Sequence, residues 1–254
     1  MGNLWSFFSV QQPQYSTMKN NQITHFSHPD HPLRFDHTES PFKCDGCKEV
    51  GIGSRYRCAA CDYDLHTHCA VSSTVISHPF YTKCSFQFLS RPPGPVARYC
   101  NACEKGVAGF LYHCKSCDFD LHPCCAKLPM VLDDGELKLY LYKKVSSPCN
   151  RCGRKGRSWS YRSSCKKYNL HVACVKEMLV DSWHEIYAGG VGEGSNTGNK
   201  IPSLKATLQP QNQKPGKVSK SCEMAALALQ FVISAVLGDP TTLIAGLVAS
   251  FMSK

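Results

Sequence analysis

The sequence predicts small zinc-stabilised β-rich (α+β) domains in tandem, with little hydrophobic core and a C-terminal apolar helical hairpin. Three observations carry this reading. Cysteines recur as C-x2-C pairs, each followed at a fixed distance by a histidine and a further cysteine. The whole arrangement repeats along the chain, and self-similarity of this kind marks an array of small units. Near the end the composition turns almost wholly apolar on both sides of Gly238-Asp239-Pro240.

The repeats come first. One segment reads Cys44-x2-Cys47, then Cys58-x2-Cys61-Asp62-Tyr63-Asp64-Leu65-His66-x2-Cys69. A second reads Cys100-x2-Cys103, then Cys114-x2-Cys117-Asp118-Phe119-Asp120-Leu121-His122-x2-Cys125. A third, weaker copy reads Cys149-x2-Cys152, then Cys165, then Tyr168-Asn169-Leu170-His171-x2-Cys174. Runs such as Ser54–Arg57 and Phe110–His113 read as short strands flanked by glycine turns, and Leu65–Ala70 as the opening of a short helix. Each repeat has too few apolar residues for a self-sufficient core, so bound metal must supply the missing stability.

The chain divides accordingly into an N-terminal tail (1–24), a first zinc domain (25–78), a second (79–134) and a degenerate basic third repeat (135–180). A flexible linker (181–221) and an apolar helical tail (222–254) follow. Tetrahedral zinc takes four nitrogen or sulfur ligands. The first domain offers His31, Cys44, Cys47, Cys58, Cys61, His66, Cys69 and His78, enough for two closed sites.

Residues His31 to Cys69 fit H-x12-C-x2-C-x10-C-x2-C-x4-H-x2-C, preceded by His28-Pro29-Asp30-His31-Pro32-Leu33. With the twice-repeated Cys-Asp-aromatic-Asp-Leu-His box, this resembles the C1 zinc finger of the phorbol-ester/diacylglycerol type, in its divergent plant form. The resemblance spans roughly residues 25–180. It implies two interleaved sites in the first domain. One is Cys44, Cys47, His66 and Cys69; the other is His31, Cys58, Cys61 and a late ligand, His78. In the second domain it implies a complete site of Cys100, Cys103, His122 and Cys125. A partner site there would use Cys114 and Cys117, opened by Cys84 or His78. The phasing of Cys84-Ser85-Phe86-Gln87-Phe88 on His31-Pro32-Leu33-Arg34-Phe35 favours Cys84, with Asp133 or Asp134 as a fourth ligand. The third repeat keeps Cys149, Cys152, His171 and Cys174, while its second pair is reduced to Cys165. The expected cofactor is Zn2+, in four complete sites and a fifth marginal one. Diacylglycerol-binding members carry a Gln-Gly pair in the loop before the second C-x2-C. Here that loop is Lys48-Glu49-Val50-Gly51-Ile52-Gly53-Ser54, which argues against diacylglycerol or phorbol-ester binding.

The 254 residues carry 17 cysteines and a formal net charge of +10. A zinc held by three thiolates and a histidine carries about −1, so filled sites lower that figure. The N-terminus has no basic stretch before its short apolar run, which favours reduced thiols and a cytoplasmic or nuclear location over secretion. Met1-Gly2-x3-Ser6 matches the myristoylation pattern, although family-like sequence begins only near Met18.

Between Glu136 and Glu177 there is no acidic residue, and that window holds Lys138, Lys143, Lys144, Arg151, Arg154, Lys155, Arg157, Arg162, Lys166, Lys167 and Lys176. Tyr140, Tyr142, Trp159, Tyr161 and Tyr168 are interleaved with them. A basic, aromatic-studded surface suits the phosphates of an anionic membrane; nucleic acid is less favoured, because no groove-reading motif is visible. The apolar runs 224–237 and 241–252 are each too short to span a bilayer and suit membrane contact, self-association or packing on the zinc domains. Cys124 and Cys222 read as spare small apolar residues.

Together these features predict a non-catalytic signalling or adaptor protein that makes protein or lipid contacts. Complete sites leave no open coordination position, and no glutamate adjoins a ligand pair as in H-E-x-x-H. The competing readings are a disulfide reductase using its C-x2-C pairs, a ubiquitin ligase with interleaved zincs, and a nucleic-acid-binding regulator.

Overall fold

The computed structural model describes residues 22–133, 137–188 and 236–237. The myristoylation pattern, Asp134, Cys222, the segment 189–221 and the tail hairpin lie outside them, apart from Val236 and Leu237.

Each repeat builds a four-stranded antiparallel sheet followed by a helix. In the first, β1 (Gln22–His25), β2 (His28–Lys43), β3 (Val50–Cys58) and β4 (Asp64–His66) lead into α1 (Thr67–Ala70). In the second, β5 (Val75–Ile76), β6 (Phe86–Leu89), β7 (Leu111–Cys114) and β8 (Phe119–Leu121) lead into α2 (Pro123–Ala126). In the third, β9 (Val131–Asp133), β10 (Lys138–Tyr142), β11 (Ser160–Ser163) and β12 (Asn169–His171) lead into α3 (Val172–Ala188). Leu65 and His66 end a strand, so the first helix begins two residues later than the sequence suggests. Helix α3 runs through Ala188, so residues 181–188, read from the sequence as linker, continue the third repeat.

One cross-strand pair recurs in every sheet: Tyr56 opposite Leu65, Tyr112 opposite Leu121 and Tyr161 opposite Leu170. All six side chains are buried. An aromatic ring facing a leucine across the strands is the kind of pair that stabilises a sheet with one covered face.

The expectation of little core is corrected at the junctions between repeats. A single apolar cluster joins repeats two and three through Phe86, Leu111, Leu121, Leu132, Leu139, Trp159, Tyr161, Val175 and Met178. Val236 and Leu237 of the apolar tail are buried in the same cluster. A smaller cluster in repeat one, around Leu33, Phe42 and Leu65, takes in Phe110 from repeat two. No repeat encloses enough apolar surface alone; stacking supplies the rest. Trp159 and Tyr161, read from the sequence as surface aromatics, are fully buried, whereas Tyr142 stays exposed. No helix among the described residues is long and apolar enough to cross a membrane.

Candidate metal centres

The local chain path explains the ligand spacing. In the first C-x2-C knuckle of each repeat the backbone doubles back between strands, and the residue after the second cysteine adopts positive φ: Lys48 at 64°, Glu104 at 61° and Gly153 at 68°. The residue after the first cysteine clasps the last strand. Asp45 N donates to Asp64 O at 2.7 Å and Asp64 N to Asp45 Oδ2 at 3.0 Å. Asn101 with Asp120 and Asn150 with Asn169 repeat this reciprocal pair. The clasp brings the strand-ending histidine over the knuckle, where the His66 and His122 amides donate to Cys44 and Cys100 Sγ at 3.4 Å.

Four four-residue clusters result among the described residues: Cys44, Cys47, His66 and Cys69; Cys100, Cys103, His122 and Cys125; Cys149, Cys152, His171 and Cys174; and His28, His31, Cys58 and Cys61. In every cluster the donor atoms lie within 4.8 Å of one another. Tetrahedral zinc with ordinary bond lengths sets sulfur and nitrogen about 3.5 Å apart. Cys47 and Cys69 Sγ lie 3.3 and 3.9 Å from His66 Nδ1. Cys103 and Cys125 lie 3.4 and 3.9 Å from His122 Nδ1. Cys152 and Cys174 lie 3.3 and 3.8 Å from His171 Nδ1, and Cys61 lies 3.3 Å from His31 Nδ1. His28 Nε2 is buried with no hydrogen-bond partner, the condition of an imidazole nitrogen shaped for a metal. The donor set therefore fits zinc.

Electrostatics agree. Burial, followed by neighbouring thiols, pushes Cys47 and Cys69 well up. Cys44 goes well down: burial opposes its ionisation, and hydrogen bonds from Cys47 and Cys69 outweigh it. Only one thiolate is comfortable without a counter-charge, and a dication would relieve the remaining repulsion.

The structure places the interleaved outer site differently from the sequence expectation. His78 is not among its ligands. Its ring packs 4.4 Å from the Trp159 ring, and Phe80 N donates to its Nδ1 at 3.1 Å. Burial lowers its pKa to about 4. His28 joins His31, Cys58 and Cys61 in its place, its ring stacked on Tyr63 at 4.5 Å. The signal was present in the sequence as H-x2-H, the same spacing as C-x2-C.

In repeat two Cys84 joins Cys114 and Cys117, with Cys84 and Cys117 Sγ 2.7 Å apart. The paired registers, Arg34 with Arg57 and Gln87 with His113, support phasing Cys84 on His31. The position of His28 then falls on Tyr81, which packs against Phe86, Phe119 and Trp159 and offers no ligand nitrogen. Asp133 pairs with Lys138 at 2.7 Å instead of entering the cluster. In repeat three the registers of β11 and β12 put Ser163 where repeat two has Cys114, and Cys165 where it has Ser116. The sulfur–hydroxyl contact, 3.2 Å in both repeats, is retained with its partners exchanged.

One buried constellation joins all three repeats. Lys176 of α3 pairs with Glu49 of repeat one and donates to Cys124 Sγ of repeat two at 3.4 Å. Glu49 Oε1 also lies 3.6 Å from His122 Nε2. Burial works against the Lys176 charge, yet Cys124, Cys125 and Glu49 outweigh it and hold the ammonium protonated. Cys124 is thus more than a small apolar filler, and Lys176 is no surface cation.

No curated protein and no solved structure matches the chain. The sequence model of the C1 domain matches residues 26–70 and 77–126. Repeat three lies beyond the match but repeats the knuckle, the clasp and the Cys3His cluster. Residues 26–70 and 77–126 are two C1 domains in tandem, consistent with the divergent C1-type zinc-finger family.

Proposed function

We propose that the chain is a non-catalytic adaptor in which zinc builds the domains and their outer surfaces make the contacts. The observation that carries this reading is the closure of the clusters. Each of the four has four protein donors, so a tetrahedral ion held there has no position left for water or substrate. The partner class is an anionic membrane surface, met by repeat three. Lys144, Lys155, Lys166 and Lys167 are exposed, and no described carboxylate lies within 4.0 Å of their ammonium groups. Positive charge near a membrane contributes about 1 kcal/mol per residue.

Sedimentation with vesicles of phosphatidylserine and phosphatidylcholine tests the proposal. The full chain should pellet with them, and Lys166→Glu/Lys167→Glu should reduce the bound fraction several-fold. Equal binding to pure phosphatidylcholine would remove the basis for the idea.

A further inference from the structure

A cleft of about 330 Å3 opens between repeats two and three, with Cys100 of the complete repeat-two cluster in its lining. Its size lies at the small end of ordinary ligand sites, which begin near ~300 Å3. Tyr81 and Phe119 form one wall, their ring centroids 5.0 Å apart, and Tyr99 stands at the rim with 63% of its surface exposed. Repeat three contributes Lys143, Lys144 and Arg157. Tyr81 occupies the position that supplies the ligand His28 in repeat one. In repeat two that position holds an aromatic ring in place of a ligand, and the ring walls the cleft.

The charges of the cleft are unbalanced. Glu104 also lines it, but Oε1 accepts the backbone amide of Arg157 at 3.0 Å, which holds the carboxylate beside the loop. Glu104 is the one carboxylate among the lining residues, and Asp118, beside the lining Phe119, is paired with Arg98 at 2.5 Å. Three cations therefore face one carboxylate and the Cys100 cluster, whose filled site would carry about −1, so a net positive charge remains. Lys143 is already positioned, its Nζ 4.2 Å above the Tyr81 ring and 3.1 Å from Phe80 O. A held ammonium loses little freedom when it meets an anion.

We infer that this cleft binds a phosphate monoester carried on a small ring, such as a phosphorylated inositol. Lys143, Lys144 and Arg157 take the phosphate, and the faces of Tyr99 and Phe119 take the C–H face of the ring. The inference rests on the reading of repeat three as an anion-binding face and gives that face a defined ligand. Free inositol phosphate and a phosphoinositide headgroup share this chemistry.

Calorimetry on the zinc-loaded full chain tests it with inositol bisphosphate and inorganic phosphate; vesicles with a few per cent phosphatidylinositol phosphate form a second arm. Lys144→Glu/Arg157→Glu should weaken inositol bisphosphate binding about tenfold or more, as loss of charge-assisted bonds requires. Lys166→Glu/Lys167→Glu, an equal loss of charge outside the cleft, should change it less than about twofold. Tyr99→Ala should weaken the bisphosphate and leave inorganic phosphate unchanged. This exposed substitution keeps the test open should the double variant lose its zinc. Cleft-dependent binding of the soluble compound alone points to a free ligand; cleft-dependent binding of the vesicles alone points to a headgroup. Absence of binding in both arms, or equal weakening by the two charge reversals, overturns the inference. In the second case phosphatidylserine binding can persist, so the adaptor reading falls only by its own test.

Discussion

The amide of Trp159 donates a 2.9 Å hydrogen bond to the carbonyl of Ala102, and the amide of Phe110 makes the same bond to Gly46, also at 2.9 Å. Gly46 and Ala102 each occupy the third position of a C-x2-C knuckle. Phe110 and Trp159 each precede the central strand of the next repeat. One backbone contact thus sets the spacing of all three repeats.

That contact requires small residues at the first junction. A Cβ on Gly109 would lie 2.0 Å from the carbonyl oxygen of Gly46, which is backbone and cannot swing away. Gly109→Ala is expected to destabilise the zinc-loaded chain by about 1–3 kcal/mol, the usual range for overpacking. Gly106→Ala meets nothing within 4 Å and should fall within about 0.5 kcal/mol of the parent. Denaturant melts at saturating zinc distinguish the two.

Metal content separates the candidate outer ligands of repeat one. His28→Ala should cost one zinc per chain, because it removes a donor from the His28, His31, Cys58 and Cys61 cluster. His78→Ala should leave the metal count unchanged and lower stability by packing alone, through lost contact with Trp159. Elemental analysis after dialysis against a weak chelator gives both numbers.

The pair of Glu49 and Lys176 is buried, with side-chain exposures of 15% and 10%. Removing one partner strands the other charge, at a cost of about 3–5 kcal/mol. Glu49→Gln and Lys176→Met should each show it. The double variant should recover a large part, since a buried pair contributes little beyond mutual compensation. A double-mutant cycle measures the difference.

His78 gives the stability a pH dependence of definite sign. Its folded pKa lies near 4, below the unfolded value of 6.5, and burial is the cause. Above 6.5 neither state is protonated and the residue contributes no pH dependence. Between 6.5 and about 4 the unfolded chain takes up a proton that the folded one refuses, so stability falls with pH. His78→Phe should flatten the melting temperature across that window relative to the parent chain. Protonation of metal ligands contributes equally in both proteins and cancels in the comparison.

Ligand spacing was legible because each knuckle, clasp and strand-ending histidine is local. The Cys44, Cys100 and Cys149 clusters draw on residues within one repeat, and the family resemblance implies their donor sets. His28 is harder to recognise, because His78, downstream of Cys69, already completes a set of eight donors without it. The packing between repeats left no local mark. Glu49 and Lys176 are 127 residues apart, and nothing near either announces the other. Trp159 and Tyr161 sit among lysines and arginines in sequence, so their neighbours suggest a surface. Their burial is decided by the strand pairing and by Ala102 in another repeat.

The third knuckle differs from the first two at the residue that would receive a following unit. Where Gly46 and Ala102 stand, repeat three has Arg151, exposed and joined to Asp181 of α3 at 2.6 Å. Among the described residues the stacking therefore has a direction: a long cation tied to α3 stands where the first two knuckles carry a residue small enough to admit the next strand.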